Sequence, residues 1–185
     1  MANVAAPWAS APRYADPLGR MLVSLARALA VLGVAIIAGL AVMLVVTIVA
    51  RKLLGWQVTG DHEIVRMFAA VSMSLVFPWC HMTAGNITVD LLTSALPRGT
   101  TQALDRIGSV LLGGMAALLA WRTGVLAVGS HASGAFSPLL TWPVWLFQAL
   151  MVPGLTLTAL CGFYVALAPG SMTARESQRA EAAGE

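Results

Sequence analysis

Long stretches of this chain carry no charged side chain, and their lengths limit what the chain can fold into. Twenty-three residues without Lys, Arg, Asp or Glu run from Ala28 to Ala50, and another 23 run from Met67 to Val89. From Thr123 to Ala174 no such residue occurs. A helix needs about 20 apolar residues to cross the hydrocarbon layer of a bilayer. The spacing therefore predicts several membrane-spanning helices.

The composition excludes the soluble classes of protein. Hydrophobic residues make up 58% of the chain and charged residues 10%, whereas a soluble domain carries about 25% charged residues. Such a chain cannot cover its surface against water, which excludes a soluble enzyme, a disordered protein and a disulfide-stapled module. Cys80 and Cys161 have no second Cys or His at a metal-ligand spacing, so neither a disulfide nor a metal site is predicted. The net charge of +3 is spread along the chain, which gives no basic cluster for nucleic acid.

We predict an all-α integral membrane protein with four transmembrane helices in one membrane domain, residues 1–185. The spans are placed near residues 28–50, 62–83, 103–128 and 142–167, with a loop at Ser130–Pro138 between the last two. Residues 1–17 and 171–185 are predicted to be flexible cytoplasmic tails.

Two further helical segments are predicted at the membrane surface. Four apolar residues recur at helical spacing ahead of the first span and predict an amphipathic lead-in: Leu18, Met21, Leu22 and Leu25. Between spans 2 and 3, Ile87, Leu91 and Ala95 share one helical face and Pro97 ends the segment, which predicts a short interfacial helix. Small residues four apart, Ala35 with Gly39 and Gly113 with Ala117, predict close helix packing.

The distribution of Lys and Arg predicts the orientation of the chain in the membrane. Seven of these residues fall on the side that holds both termini and four on the other side. Cytoplasmic loops carry the excess of positive charge, so both termini are predicted to be cytoplasmic. Arg122 is assigned to the far end of the third span, near enough to the interface to snorkel.

Glu63 and Arg66 are the charged residues that we consider as candidates for a functional role. They are three apart at the start of the second span, so they share a helix face and can pair. Ionisable groups at the edge of a span are costly unless paired or wetted. Three readings stay open: a polar anchor to a partner subunit, a route for an ion, or an interfacial pair that ends the helix.

The three histidines raise a different possibility, a haem site. A bis-histidine haem needs two imidazoles facing each other at one depth, whereas His62 and His131 are placed at helix ends and His81 at the opposite end of its span. The alternative function is therefore a membrane anchor subunit of a redox enzyme with haem or quinone near these histidines. A stand-alone transporter is disfavoured because the helix centres are nearly free of ionisable groups.

One part of the sequence resembles a known family. Arg51, Trp56 and Glu63-Ile64-Val65-Arg66 are followed by His81, by Gly85-Asn86-Ile87-Thr88-Val89-Asp90-Leu91-Leu92 and by Leu96-Pro97. This order resembles the DctQ-type small membrane subunit of tripartite ATP-independent periplasmic (TRAP) transporters. The chain departs from the family pattern at Asn86, where a His is usual, and at His81, where a basic residue is frequent.

The resemblance implies a non-catalytic subunit without a cofactor. The large transmembrane subunit would carry the substrate and sodium sites, and a periplasmic solute-binding protein would deliver an organic acid. The small subunit would bind the large one and enlarge its scaffold in the lipid bilayer of the bacterial inner membrane. Six residues would belong to the partner interface or the family motif: Glu63, Arg66, His81, Gly85, Asn86 and Asp90.

Overall fold

The computed structural model describes residues 16–55, 60–83 and 98–167. These residues form four α-helices: α1 Pro17–Leu54, α2 Asp61–Met82, α3 Arg98–Ala132 and α4 Val144–Leu167. All four are long and apolar enough to cross a membrane. The prediction of an all-α protein with four spans is confirmed.

Two helices are longer than the spans predicted within them. The lead-in and the first span form one continuous helix, α1, of 38 residues. Helix α3 has 35 residues and continues through Ser130 and His131, so the predicted start of the loop was wrong. Helix-compatible residues run on to Ala132, and the chain turns only at Ser133 and Gly134, where the φ angle of Gly134 is +61°. The predicted interfacial helix lies outside the described residues, as do nearly all of the two predicted tails.

Helices α2 and α4 form the centre of the structure. Helix α1 packs mainly on α2, and α3 packs mainly on α4. Half of the most apolar 18-residue stretch of α4 is buried, against 39% for α2, 17% for α3 and 11% for α1. The four helices therefore form an open row, α1–α2–α4–α3, whose two outer helices expose most of their apolar side chains.

Two apolar clusters hold the row together. The first joins α1, α2 and α4 near the start of α1 and consists of Val23, Ala26, Met82, Leu157, Cys161 and Val165. The second, Val71, Leu75 and Phe147, joins α2 and α4 toward the opposite end. The ring of Phe147 stacks on Trp142 at 6.0 Å and meets Phe68 edge-on at 5.2 Å. Offset and edge-on geometries are those that aromatic pairs prefer.

Glycine permits the closest helix approaches. A Cβ on Gly154 of α4 would collide with the backbone carbonyl of Ser74 in α2, and one on Gly162 would lie 2.7 Å from the Cα of Gly113 in α3. Close backbone approach matters in lipid, where apolar side chains gain little by leaving hydrocarbon. The packing prediction was right about Gly113. The same prediction was wrong about Gly39, where an added Cβ would meet no described atom within 4 Å.

Candidate functional site

The start of α2 meets the loop between α3 and α4, residues 133–143, which we call the 133–143 loop. We call this side of the molecule the loop end. Gly60 precedes α2 with a φ angle of +89°, a conformation that side chains with a Cβ rarely adopt. A Cβ at this position would also collide with the side chain of Leu140. Glycine therefore lets the first turn of α2 approach the 133–143 loop.

The carboxylate of Glu63 holds the 133–143 loop. Its Oε2 accepts hydrogen bonds from the hydroxyl of Ser137 and from the backbone N–H groups of Leu139 and Leu140, the last two at 3.3 Å each. Successive backbone N–H groups that point to one side form a nest for an anion. Glu63 supplies that anion, since a carboxylate only accepts hydrogen bonds.

The 133–143 loop is also closed by its own backbone. The N–H of Ser137 donates to the carbonyl of Trp142 at 2.9 Å, and the N–H of Thr141 donates to the carbonyl of Ser137 at 3.0 Å. An isolated antiparallel bridge joins Phe136 to Pro143. These bonds fix the turn that presents its N–H groups to Glu63, so the loop and the start of α2 form one unit.

The charged and titratable residues next to Glu63 in the sequence are not among the hydrogen-bond partners of its carboxylate in the described residues. Within the described residues, Arg66 is exposed and forms no ion pair within 4 Å, so the pairing that its spacing from Glu63 allows is not made. Asp61 is buried, and its carboxylate accepts a hydrogen bond from the backbone N–H of His62 at 2.8 Å. The side chain of His62 is 94% exposed. Arg66 and His62 therefore present positive or titratable groups at the surface of the loop end.

The other predicted site residues lie away from this unit. His81 is near the opposite end of α2 and is 3% exposed, beside Met82 of the first apolar cluster. Gly85, Asn86 and Asp90 lie outside the described residues. The structure therefore places Glu63 and Arg66 at one end of α2 and His81 at the other.

The histidines do not form the facing pair that a haem would require. His131 packs its ring against Trp145, with centroids 5.0 Å apart. His62 points to solvent, and His81 is buried at the other end of α2. The redox-anchor alternative finds no support in this arrangement.

Arg122 is a polar residue that lies farther from the end of its helix than the predicted span, residues 103–128, implied. It lies ten residues before the end of α3, which is ~15 Å along a helix axis. It also lies 16 residues after Arg106, the start of the membrane-spanning part of α3, which is ~24 Å. Arg122 is therefore in the middle part of the span rather than at its edge. The signal that could have located it is the helix-compatible sequence that continues to Ala132.

A cation at this depth carries an energetic cost. Insertion of Arg at the centre of a spanning helix costs about 2.5 to 3.5 kcal/mol on scales derived from membrane insertion. Arg122 is exposed on the surface of α3. The cost must therefore be offset by something outside the described residues.

An apolar groove of about 760 Å³ runs between α3 and α4 on the face that membrane lipid would contact. Small residues form its floor, among them Ala117, Ala120 and Gly124. The hydroxyl of Thr156 in its wall already donates to the carbonyl of Val152 at 2.7 Å. The groove offers hydrocarbon contact and no converging polar groups for a solute.

Comparison with protein families identifies a match that covers most of the chain. The family model described as "Tripartite ATP-independent periplasmic transporters, DctQ component" matches residues 40–168. No curated protein and no solved structure matches the chain. The matched range contains α2, α3 and α4 entire and the second half of the span in α1.

Proposed function

The chain belongs to the DctQ component family of tripartite ATP-independent periplasmic transporters, and from this we propose that it binds and scaffolds the large transmembrane subunit of its transporter. It is a multi-pass membrane protein and a small transporter component. In our proposal it takes no part in catalysis. The large subunit carries out sodium-coupled import of an organic acid that a periplasmic solute-binding protein delivers.

The open row of helices is the observation that carries this proposal. The exposed apolar residues of α1 and α3 leave wide faces that a partner in the membrane can cover: examples are Val31, Val42 and Val45 in α1 and Leu111, Leu118 and Leu126 in α3. A row of four helices with two such outer faces is suited to extending another subunit's scaffold. It is poorly suited to enclosing a transport path.

The position of the acidic residues supports placing the substrate and sodium sites in the large subunit. Coupled carriers use acidic side chains or unwound helices near the middle of the membrane. Among the described residues, the acidic ones lie at or just outside the ends of the spans: Asp16, Asp61, Glu63 and Asp105. Their placement favours a supporting subunit over a conducting one.

We further propose that the protein lies in the bacterial inner membrane with both termini in the cytoplasm. Four crossings put both termini on one side, and that side has the larger share of Lys and Arg. The 133–143 loop is then periplasmic.

The six predicted site residues have two kinds of role in this proposal. Glu63 acts within the chain by holding the 133–143 loop, and Arg66 contacts the partner from the surface of the loop end. His81 supports the cytoplasmic end of α2. Gly85, Asn86 and Asp90 of the family motif contact the large subunit.

Co-purification and uptake test the proposal. The tagged chain is produced with the large subunit encoded beside it and purified in mild detergent, and uptake is measured in proteoliposomes supplied with the solute-binding protein. We expect the large subunit to accompany the tag and uptake to require both membrane subunits. Transport by this chain alone would contradict the proposal, as would co-purification with redox subunits and a Soret absorbance band.

A further inference from the structure

The register between α3 and α4 shows which part of α4 lies level with Arg122. His131 contacts Trp145 at the loop end, and Gly113 lies against Gly162 toward the other end. Arg122 is midway between His131 and Gly113 along α3. It is therefore level with the middle of α4, a helix of 24 residues without any charged side chain, which is ~36 Å long and just sufficient to span a bilayer.

Arg122 faces away from the other helices that the structure describes. Successive residues in a helix are separated by about 100°, which places Arg122 on the side of α3 opposite the buried residues Gly113, Ala116 and Ala127. The residues that share its side are apolar and 55–64% exposed: Leu111, Met115, Leu118 and Leu126. Arg122 is the cation at the centre of an otherwise apolar outer face, which we call the α3 outer face.

Neither of the usual ways to accommodate such a residue is open to it within the described residues. Intramembrane cations face a bundle interior or a wet cavity, or they pair with an anion. Arg122 points outward and forms no ion pair with any residue in 16–55, 60–83 and 98–167. Snorkelling is typical of residues near helix ends, whereas ~15 Å of helix lies between Arg122 and the end of α3.

We propose that the α3 outer face packs against a transmembrane helix of the large subunit and that this helix presents a carboxylate to Arg122. The inference rests on the proposed function and adds the location and chemistry of the subunit contact. A protein carboxylate fits better than a lipid phosphate because phosphates lie at the membrane surface and Arg122 lies at mid-depth. The guanidinium binds a carboxylate through two parallel hydrogen bonds, which fixes the register of the two helices.

Co-purification with charge variants tests the contact. The tagged chain carrying Arg122→Gln, Arg122→Glu or Arg122→Lys is produced with the large subunit, and the amount of large subunit per tagged chain is measured. We expect a loss of about tenfold or more for Gln and Glu and a smaller loss for Lys, which keeps the charge. Arg106→Gln, at the edge of the same span, is the matched control and should retain normal recovery.

Two measurements separate this contact from a general defect. Removing a charge from a span makes membrane insertion more favourable, so Arg122→Gln should reach the membrane fraction at least as abundantly as the unaltered chain. A photoreactive amino acid at Leu126 should crosslink to the large subunit in the unaltered chain and fail to do so beside Arg122→Glu.

The outcomes are distinguishable. Normal recovery of the large subunit with Arg122→Gln, or crosslinking of position 126 to lipid alone, overturns the inference and leaves the proposed function standing. If the unaltered chain recovers no large subunit, both are overturned.

Discussion

Glu63 is a charged residue at the edge of a membrane span that is satisfied without an ion pair. Its carboxylate accepts hydrogen bonds from Ser137 and from two backbone N–H groups of the same loop. Bonds to a charged acceptor are stronger than those between neutral groups. A loop that would otherwise expose its backbone at the membrane surface is thus fastened to the neighbouring helix.

Replacing Glu63 should release the 133–143 loop. In Glu63→Ala the N–H groups of Leu139 and Leu140 lose their acceptor, and we expect their hydrogen exchange to be faster by roughly tenfold, because local opening controls exchange. Exchange measured by mass spectrometry on peptides that cover the loop tests this. His62→Ala is the matched control, since it removes a 94% exposed side chain one residue away. Equal exchange in the two variants would show that the carboxylate does not hold the loop.

The sequence indicated that Glu63 mattered but not what it contacts. Its spacing from Arg66 favoured a pair on one helix face, yet its partners are 74 to 77 residues away along the chain. Contacts of this range depend on how the helices pack, and one helix's spacing carries no information about them. The predicted distance from Arg122 to the end of its helix was too short for a related reason, since it depends on where α3 ends.

The close crossings between helices depend on glycines in α3 and α4. Gly113 of α3 and Gly162 of α4 bring two backbones together, and Gly154 brings α4 against α2. Tight approach of this kind increases van der Waals contact along the helices. It explains how α4 can pack closely against both α2 and α3 and be half buried.

Substitution at the α3–α4 crossing should destabilise the protein. The Cβ in Gly162→Ala would lie 2.7 and 2.9 Å from backbone atoms of Gly113, and the backbone can relieve this only by moving the helices apart. We expect a loss of about 1–3 kcal/mol from overpacking, measured as a lower unfolding temperature in detergent.

Gly114, which is next to Gly113 in α3, provides the control for this crossing. In Gly114→Ala the new Cβ meets nothing within 4 Å, so improved helix propensity, about 1 kcal/mol for Gly to Ala, should leave stability equal or higher. If Gly162→Ala is as stable as Gly114→Ala, close approach at Gly162 does not determine the packing of α3 on α4.

The helices themselves were predictable because the physics that forms them is local. Uncharged stretches of 23 residues and the ~20 residues needed to cross a bilayer are sufficient to locate the first two spans. The order in which the spans pack could not be predicted in this way, because the surfaces of the four spans are similarly apolar. Gly113 was predicted to be a packing residue and is one, whereas Gly39 has the same sequence pattern and is exposed.

In the chain as a whole, the row α1–α2–α4–α3 exposes apolar faces on its two outer helices, and Glu63 holds the 133–143 loop against α2. Helix α1 is 38 residues long, ~57 Å along its axis, which exceeds the ~30 Å of the hydrocarbon layer. Its first turns, with Val23 and Ala26 buried against the ends of α2 and α4, therefore extend to or beyond the cytoplasmic surface in the proposed orientation. The protein combines a packed centre, α2 and α4, with outer helices whose apolar faces are exposed.

This orientation predicts that the start of α1 and the 133–143 loop are on opposite sides of the membrane. The test starts from a variant in which the native Cys80 and Cys161 are replaced by alanine. Single cysteines are then introduced at two exposed positions, Asp16→Cys and Ser133→Cys. With the outer membrane permeabilised, a membrane-impermeant maleimide should label position 133 in otherwise intact cells and position 16 only after the inner membrane is opened, because the side richer in Lys and Arg stays in the cytoplasm. Labelling of position 16 first would reverse the orientation, whereas labelling of both positions in intact cells would mean that the four helices do not all cross the membrane.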